Sequence, residues 1–152
     1  MTNEELKQKL LTLAPNAEFA ENKQYVTATV STGKLHSLLK TLKESEDTAF
    51  DYLFCLTSVD NGDSFGVVYH LESTKYRHCI VIKVKTNGRE NPAVDTVSDI
   101  FKTADFHERE AYDLMGIVFK NHPDLRRIFL DENWVGHPLR KDYSDDINVV
   151  ER

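Results

Sequence analysis

A histidine and a glutamate, His107 and Glu108, stand side by side in the order that begins the helical zinc motif of metalloproteases. That motif needs a second histidine four residues after the first, because imidazoles at positions i and i+4 lie on one face of a helix. Position 111 is alanine, which rules the motif out. A metal site assembled from scattered histidines stays an alternative, but no histidine pair has typical ligand spacing, so we expect none.

Redox and nucleotide cofactors lack their usual binding residues. An iron–sulfur cluster normally needs four thiolates, and the chain has only Cys55 and Cys79. The six glycines are isolated, and neither of the common phosphate-binding glycine loops occurs. We therefore predict a chain without a cofactor. The two cysteines lie far apart on segments that are typical of strands, so we expect separate buried thiols rather than a disulfide.

Acid/base and nucleophilic catalysis have weak support in the sequence. Glu108 and Glu110 are two positions apart on a predicted helix and point about 200° apart, so they do not form a catalytic pair. Ser58 lacks the glycine elbow of a hydrolase nucleophile. A free-standing enzyme that uses His107, Glu108 or His122 as acid or base remains an alternative.

The last third of the chain interleaves charged and aromatic residues, which is typical of buried protein contacts as well as of a solvated surface. We favour an interface. Its expected docking contacts are the basic residues Arg126, Arg127, Arg140 and Lys141, beside apolar Leu125, Ile128, Phe129 and Leu139. We expect that folding does not need the charge of these basic residues.

The elements that must position these residues follow from hydrophobic periodicity. Leucines at helical spacing predict helices over about 4–13 and 34–44, the first of them capped by Thr2 or Asn3. Alternating apolar residues predict strands over about 24–30, 49–59, 65–71 and 77–85. The last three should form an antiparallel meander, because the turn sequence Asp60–Asp63 and a second short connection separate them.

Beyond residue 92 the strand pattern disappears. We predict a short helix around 94–101 and a second helix over about 105–115, capped by Asp105 with Glu108 reaching back to it. Gly116 suits a left-handed C-cap. Arg109 and Asp113 stand one turn apart and can pair. The rest of the chain should be an irregular extended arm that packs along something else.

The predicted fold is α+β with two layers: N-terminal helices packed on a mixed or largely antiparallel sheet, followed by the C-terminal arm. Residues 1–92 form the sheet core, and residues 93–152 carry the helix and the arm, in one structural domain overall.

The formal charge of −6 argues against nucleic acid as a partner. No apolar stretch is long enough to span a membrane, and the acidic start is unlike a signal peptide.

Several segments together resemble the 30 kDa subunit family of proton-pumping NADH:quinone oxidoreductase, respiratory complex I. They are EREAYDLMGI at 108–117, HPDLRRIF at 122–129, GHPLRKDY at 136–143, LTSVD at 56–60 and VVYHL at 67–71. The resemblance covers roughly residues 25 to 143. Phe106 stands where the family often has tryptophan, and the tail after Tyr143 lacks the usual proline-leucine-glycine continuation.

The resemblance implies a cofactor-free, non-catalytic subunit of the hydrophilic arm that supports electron transfer from NADH to quinone. It implies docking on the quinone-site and cluster-bearing subunits (the D and B subunits of the complex), at the cytoplasmic face of the bacterial membrane, with membrane contact only through the complex. A homologous subunit of a membrane-bound hydrogenase or formate hydrogenlyase is an alternative. The interface residues that the resemblance implies are Glu108, Arg109, Glu110, Asp113, Gly116, His122, Pro123, Arg126, Arg127, His137, Arg140, Lys141 and Asp142.

Overall fold

The chain forms three helices and seven strands within the described residues, and five of these strands belong to one sheet. The structure is a computed structural model, and it describes residues 1–20, 24–145 and 147. The helices are α1 (Asn3–Leu13), α2 (Thr32–Glu44) and α3 (Ala104–Met115). The strands are β1 (Glu18–Ala20), β2 (Val26–Val30), β3 (Tyr52–Asp60), β4 (Phe65–Ser73), β5 (His78–Lys85), β6 (Ala93–Asp95) and β7 (Val118–Lys120).

The predicted meander of β3, β4 and β5 is confirmed, with antiparallel pairing along both hairpins. Gly62 adopts a φ of 89° in the first turn, a conformation that glycine reaches without steric cost. A bulge between Leu53 and Cys55 interrupts the pairing of β3 with β4. Because of this extra residue, Leu53 and Leu56 both point to the buried face although they are three positions apart.

The sheet is mixed and largely antiparallel, which fits the predicted mixed or largely antiparallel sheet. Its order is β1-β2-β5-β4-β3. Strand β2 runs parallel to β5, whereas the short strand β1, which the sequence pattern does not predict, pairs antiparallel with β2. The α+β prediction is therefore confirmed.

One face of the sheet carries the core. Its strand residues, including Val67, Tyr69 and Ile82, form a single apolar cluster with the buried residues of the three helices. The predicted leucine stripe of α2 is fully buried in this cluster. Helix α1 begins with a complete capping box between Thr2 and Glu5, which satisfies two first-turn amides.

The prediction of a helix over 94–101 is wrong. Residues Ala93–Asp95 instead form β6, which pairs in parallel with β7 in a small second sheet, and a turn follows at 98–100. Val94, Val97 and Phe101 do have helical spacing and are all buried. Strand β6, however, pairs with β7, which lies 25 residues further along the chain. Local periodicity cannot reveal such a distant partner.

Cys55 and Cys79 are free thiols, as expected, but both are partly exposed rather than buried. Within the described residues, no helix has the length and apolar content needed to cross a membrane. In the same part of the chain, no three His, Cys, Asp or Glu side chains group closely enough to hold a metal ion.

Candidate functional site

Helix α3 begins one residue earlier than predicted, at Ala104, and the predicted capping box is absent. Thr103 occupies the N-cap position without a side-chain cap bond. Glu108 does not reach back along its own helix, because its carboxylate accepts hydrogen bonds from the Thr96 hydroxyl at 2.5 Å and the Val97 N–H at 2.8 Å. The Glu108 side chain, which was expected to cap the helix, is thus fully buried against the segment that follows β6.

Asp113 is the second fully buried carboxylate of α3, and it fixes the C-terminal arm (residues 121–145). One carboxylate oxygen accepts the backbone N–H groups of Ile128, Phe129 and Leu130 at 2.7–3.1 Å. The other accepts the Arg127 guanidinium at 2.8 Å. Burial alone raises the pKa of Asp113, but these donors outweigh it and hold the pKa below its usual range.

The predicted pairing of Arg109 with Asp113 is wrong, because Arg127 takes the carboxylate instead. Arg109 is buried and donates to the backbone carbonyls of Arg126 and Arg127, both at 3.2 Å. Arg127 also donates to the carbonyls of Trp134 and Gly136. The two guanidinium groups therefore supply hydrogen bonds to arm backbone that has no regular partner.

Gly116 closes α3 as predicted, in the left-handed conformation with φ 71° and ψ 26°. A Cβ atom there would lie 2.5 Å from both Arg140 and His137. His137 bonds the Asp113 carbonyl through Nδ1, and Arg140 donates to the Met115 carbonyl at 2.6 Å. The absent side chain thus lets the arm pass directly over the end of the helix.

Four residues from distant segments hold the end of the arm, and we call them the clasp: Asp60, Arg89, Lys141 and Asp142. Asp60 and Arg89 are not among the predicted site residues. Asp60, at the end of β3, accepts the Arg89 guanidinium at 2.6 Å and the Lys141 backbone N–H at 2.9 Å. Arg89 also pairs with Asp142 at 2.8 Å. The Arg89 hydrogen bonds hold the pKa of Asp60 far below its usual range. No local pattern indicates this contact, because 81 residues separate Asp60 from Lys141.

The Phe65 ring reinforces the clasp. The guanidinium carbons of Arg89 and Arg140 lie 4.5 and 4.7 Å from its centroid. Such contacts stabilise a cation against an aromatic face. The charged groups of Arg127 and Arg140 thus contact the chain itself. That folding does not need their charge stays a prediction, and these contacts count against it.

His122 lies at the start of the arm with a fully buried side chain. Its Nε2 atom lies 3.2 Å from both the carbonyl and the carboxylate of Asp105. Because Glu108 and His122 are both buried, neither presents an acid or base to a substrate at the surface. His107, the third residue of the acid/base alternative, is only partly buried.

Other predicted site residues remain on the surface. Glu110, Pro123, Arg126, Lys141 and Asp142 are exposed. Among the described residues, Arg126 pairs with Asp124, its neighbour two residues away.

Apolar side chains accompany these exposed residues: Phe106, Phe129, Leu139 and Val135 are 59%, 65%, 57% and 87% exposed. We call nine of the exposed residues of helix α3 and the arm the α3–arm surface; they are Phe106, Glu110, Pro123, Arg126, Phe129, Val135, Leu139, Lys141 and Asp142. The thirteen predicted residues thus divide into an inner set, most of which bonds the arm, and an outer set that is exposed at the surface.

Comparison with protein families gives a match over most of the chain. The family model described as "Respiratory-chain NADH dehydrogenase, 30 Kd subunit" matches residues 28–147. The matched segment includes α3 and the predicted interface residues.

Curated relatives carry consistent names. The chain is 49% identical over 118 residues to the NADH-quinone oxidoreductase C/D subunit of Phocaeicola vulgatus, covering 77% of this chain and 22% of the relative. It is 48% identical over 105 residues to the C subunit of the Chloroherpeton thalassium enzyme, covering 68% and 43%. With the C subunit from Geotalea uraniireducens it shares 44% identity over 129 residues, covering 83% and 77%. The matched segment is thus less than half the length of the first two relatives.

Among solved structures, the fold is similar to a chain of the membrane-bound sulfane sulfur reductase, an archaeal respiratory membrane complex. The TM-score is 0.72 at 24% identity, covering 93% of this chain and 85% of the other. This likeness shows a shared fold.

Proposed function

The chain belongs to the 30 kDa subunit family of respiratory-chain NADH dehydrogenase, and we propose that it is a non-catalytic, cofactor-free structural subunit of an NADH:quinone oxidoreductase. In this proposal it docks on the quinone-site subunit and on the cluster-bearing subunit. The complex, rather than this chain, passes electrons from NADH to quinone and translocates protons. The chain is peripheral to the membrane, at its cytoplasmic face.

The observation that carries the proposal is the exposure of Phe129 and Leu139. Both lie on an arm whose backbone is held in place by hydrogen bonds to buried side chains. Buried polar groups hold the arm from residue 122 to residue 142, so these apolar side chains are presented in a defined arrangement. Burying them in a partner contributes roughly 1.5–3 kcal/mol each. Exposed apolar side chains rimmed by charges are typical of protein interfaces.

One relative is named as a combined C/D subunit, and this name supports the choice of partner. When two subunits of one assembly are encoded in a single chain, they are joined covalently and remain neighbours. We infer that the α3–arm surface faces the counterpart of the D portion, which is the quinone-site subunit. Arg126 and Lys141 then meet partner carboxylates, since electrostatic complementarity sets register at such contacts.

A role in a different membrane-bound complex is the second candidate. The structural likeness to a chain of the sulfane sulfur reductase favours it, because the same fold serves in a complex named for another reaction. Membrane-bound hydrogenase and formate hydrogenlyase complexes fall in this class. The electron donor and acceptor of the purified native complex distinguish this candidate from the first.

The docking proposal is tested with Phe129→Ser in the full chain, produced in cells that assemble the native complex. We expect less assembled complex on native gels and lower NADH:quinone activity in membranes, with little change in the melting temperature of the isolated chain. Tyr52→Ser is the matched control, because Tyr52 is an exposed aromatic residue of β3 away from the arm. Full assembly of the Phe129→Ser complex would refute docking through this surface.

The cofactor-free proposal is tested on the purified full chain. We expect no visible absorbance and no stoichiometric iron, zinc or flavin. One cluster or flavin per chain, found by spectroscopy or elemental analysis, contradicts it.

A further inference from the structure

Glu108 is a fully buried carboxylate whose hydrogen-bond donors are uncharged. They are the Thr96 hydroxyl and the Val97 N–H. This differs from Asp113, which a guanidinium neutralises one turn further along the same helix. A buried carboxylate without a cation takes up a proton more readily than one in water, because burial penalises only the charged form.

His122 is the basic side chain nearest to Glu108, with Nε2 at 3.7 Å from the carboxylate. Its Nδ1 atom accepts a hydrogen bond from the Asp124 N–H at 3.0 Å and so carries no proton. The imidazole is therefore the neutral Nε2–H form, whose N–H lies against Asp105 and Glu108. It does not supply the charge that Glu108 lacks.

Among the described residues, the charges that act on Glu108 most clearly are acidic. Asp105 lies one turn earlier on α3, and Asp99 lies in the turn after β6; the charge of each raises the pKa of Glu108 further. Asp95 of β6 and Glu108 both act on Tyr69 of β4, whose pKa is raised by burial and by these two charges. The Tyr69 hydroxyl is fully buried and has no hydrogen-bond partner among the described residues. Electrostatics from each side thus favours the neutral carboxylic acid.

A route for protons to Glu108 exists on the side of Thr96. This residue lines a surface cavity of about 550 Å³ together with His36, Asp95, Asp99 and Asn121. Inside the protein, the Thr96 hydroxyl bonds both Glu108 and the Ser98 hydroxyl, the latter at 2.9 Å. Two hydroxyl groups in contact can pass a proton by exchanging donor and acceptor roles.

We propose that the Glu108 carboxyl is an internal proton-binding site filled from solvent through Ser98, which is partly exposed, and Thr96. A hydronium ion in the solvent gives a proton to the Ser98 hydroxyl and becomes water; Ser98 passes its own proton to Thr96, and Thr96 passes its own to Glu108 Oε2. Each hydroxyl ends with one hydrogen, and the carboxylate becomes a carboxylic acid. The new acid O–H then donates to Thr96 Oγ1, and Thr96 donates to Ser98.

The electrostatics agrees with this geometry. Burial, opposed by the bonds from Thr96 and Val97, raises the pKa of Glu108 to about 7 from its ordinary 4.5. Because the folded pKa is raised, the folded state binds the proton more tightly than the unfolded state. Stability from this group is present below about pH 4.5 and is lost as the pH rises toward about 7.

The direct test is a pH titration of the full chain by NMR with ¹³C at the glutamate side-chain carboxyl carbons. We expect one resonance to titrate near pH 7, to disappear in Glu108→Gln and to persist in Glu110→Gln, the exposed control on the same helix. Should Glu108→Gln not fold, Glu108→Asp removes the same resonance. In Thr96→Val the midpoint should rise, because a hydrogen bond to the charged form is lost. A Glu108 resonance that titrates near pH 4 to 5, or not at all between pH 4 and 9, overturns the proposal.

A second measurement compares the unfolding of Glu108→Gln and wild type across pH. The folded-to-unfolded ratio of the variant, relative to wild type, should rise with pH between about 4.5 and 7, by at most about tenfold per pH unit. A ratio that is independent of pH in this window contradicts the proposal. This outcome is independent of docking, since the measurement uses the chain alone.

Discussion

The sheet and its helices, residues 3–85, and the C-terminal arm, residues 121–145, are held in place by different forces. In the first region, alternating strand residues and leucine stripes bury one apolar face in a common cluster. In the arm, regular backbone pairing is scarce, and buried charged side chains supply the hydrogen bonds. Asp113, Arg127 and Asp60 each bond backbone groups that would otherwise lack partners.

The difference indicates why a densely charged motif occurs in a subunit that we propose to be non-catalytic. Charges of this kind are often taken as catalytic or as direct contacts. Here several of them shape an irregular segment, and that segment then presents apolar side chains outward. Loss of an internal charge should therefore disorder the surface, whereas loss of an outer residue should weaken only the contact.

Removal of the Asp113 carboxylate should have the largest effect on the arm. Asp113→Ala leaves the Arg127 charge and three backbone N–H groups without their acceptor, and breaking a buried pair costs about 3–5 kcal/mol. Amide hydrogen exchange should accelerate at residues 128–130 more than in β4. The control is Asp124→Ala, which removes an exposed carboxylate. Unchanged protection at 128–130 in Asp113→Ala would show that other contacts hold the arm.

Acid should loosen the arm before the sheet. The pKa values of Asp60 and Asp113 lie below their ordinary range in the folded state, so their contribution is present above about pH 4 and is lost as the pH falls further. Hydrogen exchange at residues 128–130 should rise below about pH 4, after correction for the intrinsic exchange rate. Asp113→Asn should remove most of this pH dependence. Simultaneous loss of protection in β4 and the arm would mean that the two regions unfold as one unit.

Gly116→Ala should have a smaller effect confined to the crossing of arm and helix. A left-handed conformation costs a non-glycine residue about 1–2 kcal/mol, and the added Cβ displaces Arg140 and His137. Gly33→Ala in α2 is the matched control. No atom lies within 4 Å of the added Cβ there, and alanine should stabilise the helix by about 0.5–1 kcal/mol. Chemical denaturation of both variants checks the opposite signs.

The two regions also differ in how far the sequence predicts them. The β3–β4 hairpin follows from its Asn-Gly turn and alternating strands, and the α2 core stripe follows from leucine spacing. The C-cap at Gly116 was predictable because a glycine ends a helical pattern. Each of these features is decided by residues close together in sequence.

The wrong predictions concern features that are decided by residues far apart in sequence. Strand β6 looked helical because its partner, β7, is 25 residues away, and Glu108 looked like a capping residue because Thr96 and Val97 lie outside the helix. The Arg109–Asp113 pair had the right spacing, yet Arg127 is the partner of Asp113. In each case a contact with a distant segment replaced the local one. A local pair such as Arg109 with Asp113 contributes only a few tenths of a kcal/mol.

The adjacent arginines of the arm test the central claim most directly, because they have the same chemistry and opposite environments. Arg127 is bonded to Asp113 inside the fold, and Arg126 is exposed. The measurement is the free energy of unfolding of the isolated chain, together with the amount of assembled complex in membranes, for Arg126→Ala and Arg127→Ala. We predict that Arg127→Ala loses about 3–5 kcal/mol of stability. Arg126→Ala should lose no more than about 1 kcal/mol of stability but weaken assembly. Equal losses of stability in the two variants, or full assembly of the complex with Arg126→Ala, would contradict the account.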